Sequence, residues 1–287
     1  MTTSSTADQP AGNFDWDALT LAEGSHDNGE ADDCGNPLLC FVEAFNVSRG
    51  LGVTDTCPAD VSLALCSFII EFNDALGIVD RQRLKPYRDR IGGTGGQPDA
   101  DKRAAYMCID WLIRTYTPAF LRLAGLTAHA DTLAGAGEII DLATIGQVTD
   151  HVSAADSAAR SAAVSAADSP ADWAGCSAAY STAARSAGCS AAFSAAVSAA
   201  YSAADSAADS AADSAADSAA VRQALLAAYS AADSATVSAA STVASSVKVS
   251  AASTAAEQML APTAAALQAS AFELLDRMTA TYTVAAA

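Results

Sequence analysis

The chain of 287 residues carries 33 acidic and 15 basic side chains, a formal net charge of −18. Such a balance repels nucleic acid and anionic membranes, so neither is an expected partner. Alanine accounts for much of the 51% hydrophobic content, and alanine buries little area, so only the half rich in Leu, Ile, Val, Phe and Trp can build a dense core.

Residues 1–33 hold eight acids and no Lys or Arg, which predicts a disordered acidic tail. The opening MTTSSTADQP has neither a basic nor an apolar leader segment, and apolar runs such as LCFV and CSFII are broken by acids within a few residues. A cytoplasmic protein is expected. The seven cysteines, Cys34, Cys40, Cys57, Cys66, Cys108, Cys176 and Cys189, form no CxxC pair, and His26, His129 and His151 are scattered. No metal or other cofactor is predicted, and Cys66 and Cys108 are expected to be small core residues of a chain in a reducing compartment.

Residues 34–150 form a helical globular domain by their periodicity. Leu38, Phe41, Val42 and Phe45 predict a helix over 37–49, ended by Gly50. Asp55 or Thr56 is placed to cap the next, with Pro58 in its first turn and Val61, Leu65, Phe68, Ile69 and Phe72 on one buried face. The stretch DRQRLKPYRDR then gathers Arg81, Arg83, Lys85, Arg88 and Arg90, a candidate anion-binding set. It leads into GGTGG, whose spacing fits no nucleotide-binding loop and which is expected to be a flexible connector. A central helix from Asp99 or Asp101 follows, with Met107, Cys108, Trp111 and Leu112 on one side and Ile109 and Tyr116 on another, until Thr117 and Pro118 interrupt it. Asp110 and Arg114 stand four apart, the spacing of an intrahelical ion pair.

The stretch DKRAAYMCIDWLIRTYTPAFLRLAGL, the earlier FNDALG, RLKPY and RIGGTGG, the alanine-rich repeat and the closing LAPTAAALQASAFELLDRM together resemble a group of actinobacterial and actinobacteriophage proteins. In that group a helical N-terminal domain precedes an alanine-rich repeat of variable length. The resemblance spans most of residues 34–280 and implies a fold but no activity for any position. Phe120 stands where the group often has tryptophan, and aspartates stand where its repeats often carry Trp or Arg.

Residues 151–258 are a tetrapeptide repeat of the form SAAx, with serines at 153, 157, 161, 165 and 169 and again from 190 to 218. Alanine favours helix, so long helices over about 152–168 and 190–238 are predicted, broken by Pro170. At about 100° per residue each copy advances by about 40°. On that count Phe193, Val197, Tyr201, Val221, Leu225 and Tyr229 gather on one side, opposite Asp205, Asp209, Asp213 and Asp217. They form a candidate packing face, to which Arg222 and Asp233 are exceptions. In residues 259–287 Pro262 opens a last amphipathic helix carrying Leu267, Phe272, Leu274, Leu275 and Met278, whose natural partner is the N-terminal domain.

The expected architecture is therefore all-α: a small helical domain plus long repeat helices packed as an antiparallel hairpin. A periodic face without a catalytic cluster points to a non-enzymatic structural or interaction protein, with a protein partner or a second copy meeting the repeat helices. Two alternatives remain. One is an ice-binding or surface-adsorbing helix, which a four-residue period disfavours because it winds the hydroxyl stripe around the axis. The other is an anion binder or enzyme using the 81–90 cations with Glu43 or Asp110 as acid or base.

Overall fold

Helix α1 (Phe41–Ser48) starts where Glu43 reaches back to its own N-cap. The Glu43 carboxylate accepts from Cys40 N at 2.8 Å while the Cys40 sulfur accepts from Glu43 N, a reciprocal cap that sets the start later than Pro37. Helix α2 (Leu63–Ala75) is capped by Ser62, not by Asp55 or Thr56. The reason lies in α1: the Asn46 amide donates to the carbonyls of Thr54 and Thr56 at 2.7 and 3.0 Å, which holds residues 49–61 as a loop with Pro58 outside the helix.

The computed structural model describes residues 14–26, 30–33, 35, 37–166, 213–245 and 249–282. Among these the chain is all-α, with no strand and one isolated bridge between Ala31 and Pro37. After α2 come α3 (Ile78–Arg81), a 3-10 segment (Gln82–Tyr87) and α4 (Arg88–Ile91). Helix α5 (Pro98–Trp111) then runs without a break into a π-helical turn (Leu112–Tyr116) and α6 (Thr117–Leu123). The expected interruption at Pro118 is absorbed by this widening, in which Thr117 N–H reaches back to Leu112 O. A regular helix would press the proline ring onto the Arg114 carbonyl.

Helix α7 (Thr127–Ala134) is followed by α8 (Leu142–Ala166), so the predicted short repeat helix is the far end of an element rooted in the globular part. Asp141 starts it, accepting from Thr144 N at 2.9 Å. Helix α9 (Asp213–Ser245) and α10 (Val249–Ala280) complete the order, and Pro262 lies inside α10 instead of opening it. No helix among the described residues is long and apolar enough to cross a membrane.

Two expectations fail for long-range reasons. Residues 14–26 are not a loose tail: Trp16, Leu19 and Leu21 are buried, Ala22 N bonds Leu39 O at 2.8 Å, and Asn73 Nδ2 donates to Ala22 O at 2.9 Å. A few apolar residues among the acids suffice, because they drop onto Phe41 and α2. Cys66 is not a free thiol either but is disulfide-bonded to Cys57. The loop after α1 folds back on the first turns of α2 and brings the two Cα atoms to 6.0 Å, within ordinary disulfide reach. Cys108 and Cys40 are free and buried, and burial pushes the Cys40 thiol up to about 12.

A continuous apolar core runs from Trp16 through Phe68, Phe72, Leu112 and Leu225 to Leu275 and Met278. The last part of α10 closes it, with Phe272 4.8 Å from Phe72 and Trp111 Nε1 donating to Ser270 at 2.9 Å. Above this core α8 and α9 pack along each other, and α9 also rests on α6, where Thr117 Oγ1 donates to Ala228 O at 3.1 Å. The buried residues of α8 are Ile145, Val148, Val152, Ala155 and Ala159; those of α9 include Val221, Leu225, Ala228, Ala232, Ala235 and Ala239. Both sets step alternately by three and four, the spacing of a coiled-coil seam, and alanine methyls let the backbones approach closely.

Candidate functional site

The basic segment 81–90 is held by five separate attachments. Arg81 is buried, its Nε donating to Asn73 O at 2.8 Å and its Nη2 to Leu76 O at 2.6 Å, so it closes the carbonyl end of α2. Arg83 lies 3.9 Å over the Phe272 ring and pairs with Asp80 at 3.2 Å. Lys85 donates to Asp17 O at 3.0 Å, and Arg88 pairs with Asp89 at 2.8 Å beside Trp16. Arg90 reaches Asp276 Oδ1 at 2.5 Å, and it also bonds Asp276 O and Thr279 on α10.

Asp276 is the centre of this last group. Tyr87 OH donates to the same Oδ1 at 2.9 Å. Burial opposes its ionisation, but the bonds from Arg90 and Tyr87 prevail and hold the carboxyl below the usual range. The Tyr87 phenol is pushed up, first by burial and then by Asp276. The five cations thus bind the N-terminal arm, α2 and α10 to one another. Each cation of the candidate anion-binding set has a partner within the chain.

The GGTGG loop is packed, against the expectation of a flexible connector. Gly93 N and Gly95 N donate to Asp60 Oδ2 and Asp60 O at 3.3 and 2.8 Å. Thr94 is buried, accepting from Ser62 N at 2.9 Å and donating to Ile91 O at 2.6 Å. A side chain at Gly95 would meet Ala59 O at 2.6 Å, which is why glycine stands there. Of the loop's donors Gly93 N meets a carboxylate, that of the chain's own Asp60, which is lowered chiefly by its bond to Arg49.

Glu43 and Asp110 also have partners within the chain. Glu43 is buried and accepts from His26 N at 2.6 Å and His26 Nδ1 at 2.9 Å besides Cys40 N, tying the arm to α1. Asp110 Oδ1 accepts from Arg114 Nη1 and from Ile139 N, each at 2.9 Å, so the predicted ion pair also anchors the turn before α8. The two carboxylates share no partner. Among the described residues no three His, Cys, Asp or Glu side chains gather as a metal site.

One polar cluster lay beyond sequence reasoning. Ser62 Oγ, Asp101 Oδ1 and Tyr282 OH are mutually hydrogen bonded, with Ser62 to Tyr282 and Tyr282 to Asp101 at 2.9 Å and a short contact from Ser62 to Asp101. Its members are 39 and 220 residues apart, so no local pattern announces it. A serine beside a carboxylate invites a nucleophile reading, yet Ser62 is buried and its Oγ also caps Leu65 N. Burial drives the Tyr282 phenol upward and keeps it neutral. The cluster fastens the end of α10 to the starts of α2 and α5.

Of the predicted packing face, Phe193, Val197 and Tyr201 lie outside the described residues. Val221 and Leu225 are buried, but Tyr229 is 39% exposed. The seam of α9 steps from Leu225 to Ala228, and the four-residue period has by then carried Tyr229 past the contact. Comparison with protein-family models, curated proteins and solved structures found no match to the chain.

Proposed function

We propose that the protein is a non-enzymatic structural or interaction protein in which a helical base carries an alanine-rich repeat tethered at both ends. Support comes chiefly from the packing of α8 and α9, the helices that flank residues 167–212, along one another and, through α9, onto α6. The repeat thereby leaves and re-enters one base. The candidate acids and cations of that base each have a partner within the chain. Ser157, Ser161 and Ser165 donate to carbonyls one turn back at 2.9 to 3.0 Å, so these hydroxyl protons serve the helix itself.

Replacing residues 167–212 with a flexible Gly/Ser linker tests this reading. The tryptophan-detected melting temperature should move by no more than about 4 °C, the shift that about 1 kcal/mol makes in a domain of this size. Loss of the base on excision would mean that the repeat belongs to the core. A saturable turnover that disappears with Glu43→Gln or Asp110→Asn would overturn the non-enzymatic assignment.

A further inference from the structure

On α9 a second stripe flanks the buried seam. Arg222, Leu226, Tyr229 and Asp233 fall within about 60° of one another at 100° per residue. Leu226 is 55% exposed, and Tyr229 and Arg222 are also exposed. Arg222 and Tyr229 each interact within their own chain as well.

The order of these residues has a symmetry. Leu226 and Tyr229 are equidistant from the Ala227–Ala228 peptide, and so are Arg222 and Asp233. A two-fold axis running between two copies at the height of that peptide would lay α9 of one antiparallel to α9 of the other. Leu226 would then face the other copy's tyrosine, and Arg222 its aspartate, twice over. A closed two-fold contact requires this self-complementarity, because each residue must meet its mirror position in the sequence.

We propose that this stripe is an isologous dimer contact, α9 against α9 of a second copy, with an apolar centre of Leu226 and Tyr229 and a charged pair at each end. The proposal rests on the reading of the repeat helices as an interaction surface, and it names the partner. Asp233 is half-buried, and that burial raises its carboxyl. A guanidinium from the second copy would return what burial removes. Ser230, partly buried beside the stripe, leaves room for close approach.

Sedimentation equilibrium of the full chain and two charge reversals decides the matter. The unaltered chain should form a dimer that dissociates on dilution. Arg222→Asp and Asp233→Arg should each weaken self-association about tenfold, since each homodimer then holds two like-charged pairs. Mixed in equal amounts, the two variants should associate again, because each supplies the charge the other lacks. A general folding defect could not produce that recovery. If either reversal lowers helicity, Arg222→Gln and Asp233→Asn take its place, and each should still weaken the dimer. A chain that stays monomeric to about 1 mM, or variants that dimerise unchanged, would overturn the contact. A monomer whose excised form keeps its melting temperature would overturn the dimer and leave the tethered-repeat reading standing.

Discussion

The base and the α8–α9 seam solve the same packing problem with opposite materials. In the base, Phe41, Phe68, Phe72, Trp111 and Leu112 bury large side chains against several elements at once. Burying such a side chain is worth about 1.5–3 kcal/mol, so a few of them define which way each helix faces. In the seam Ala155, Ala159, Ala228, Ala232 and Ala235 each bury little more than a methyl. One side of an SAAx helix is nearly as apolar as the next, and closeness of fit does the selecting. Large residues specify a fold by what they must hide, whereas alanines specify it by what they permit to approach.

The sharpest way to break that contrast is Trp111→Ala. Its ring is buried, lies 5.4 Å from Tyr116 and donates to Ser270. Truncation should cost about 3–5 kcal/mol in denaturant unfolding. A near-neutral result would mean that the base does not depend on large buried side chains.

A smaller effect distinguishes two neighbours within one repeat copy. Ala155 is fully buried in the seam and Ala154 beside it is exposed. Ala155→Leu should destabilise by about 1–3 kcal/mol through overpacking, while Ala154→Leu should change stability by no more than about 0.5 kcal/mol. Equal behaviour of the two would dissolve the seam.

The smallest effect concerns the tie between the basic segment and α10. The Asp276 carboxyl is held below its ordinary value in the folded chain. Stability from it is therefore present above the unfolded carboxylate pKa and lost as pH falls through the folded one. Asp276→Asn should lower the melting temperature slightly at neutral pH and flatten its decline below about pH 4. An unchanged acid limb would show that Arg90 and Tyr87 contribute nothing there.

Much of the base was legible in the sequence because its signals are local. The stripe Leu65, Phe68, Ile69 and Phe72, the central placement of Trp111 and the Asp110–Arg114 spacing all follow from helical periodicity, and each has its counterpart in α2, α5 and the turn that follows. The candidate site was not legible. Arg90 and Asp276 lie 186 residues apart and Ser62 and Tyr282 lie 220 apart, and a run of cations reads the same whether it awaits a ligand or is already tied down. The docking of Trp16 and Leu21 was hidden for a similar reason, since composition averages over the few residues that bind.

The sequence by itself determined that the described part of the chain is helical, the ends of the repeat at 151–166 and 213–245 included, and that its large apolar residues gather early and return at the end. These depend on backbone propensity and on side chains a turn apart. Tertiary structure alone decided which alanines are buried, what the cations hold, that Cys57 meets Cys66, and that Pro118 widens a helix instead of ending it. Each of those outcomes depends on a partner far away in the chain, and a residue's own neighbours carry no record of which surface will arrive against it.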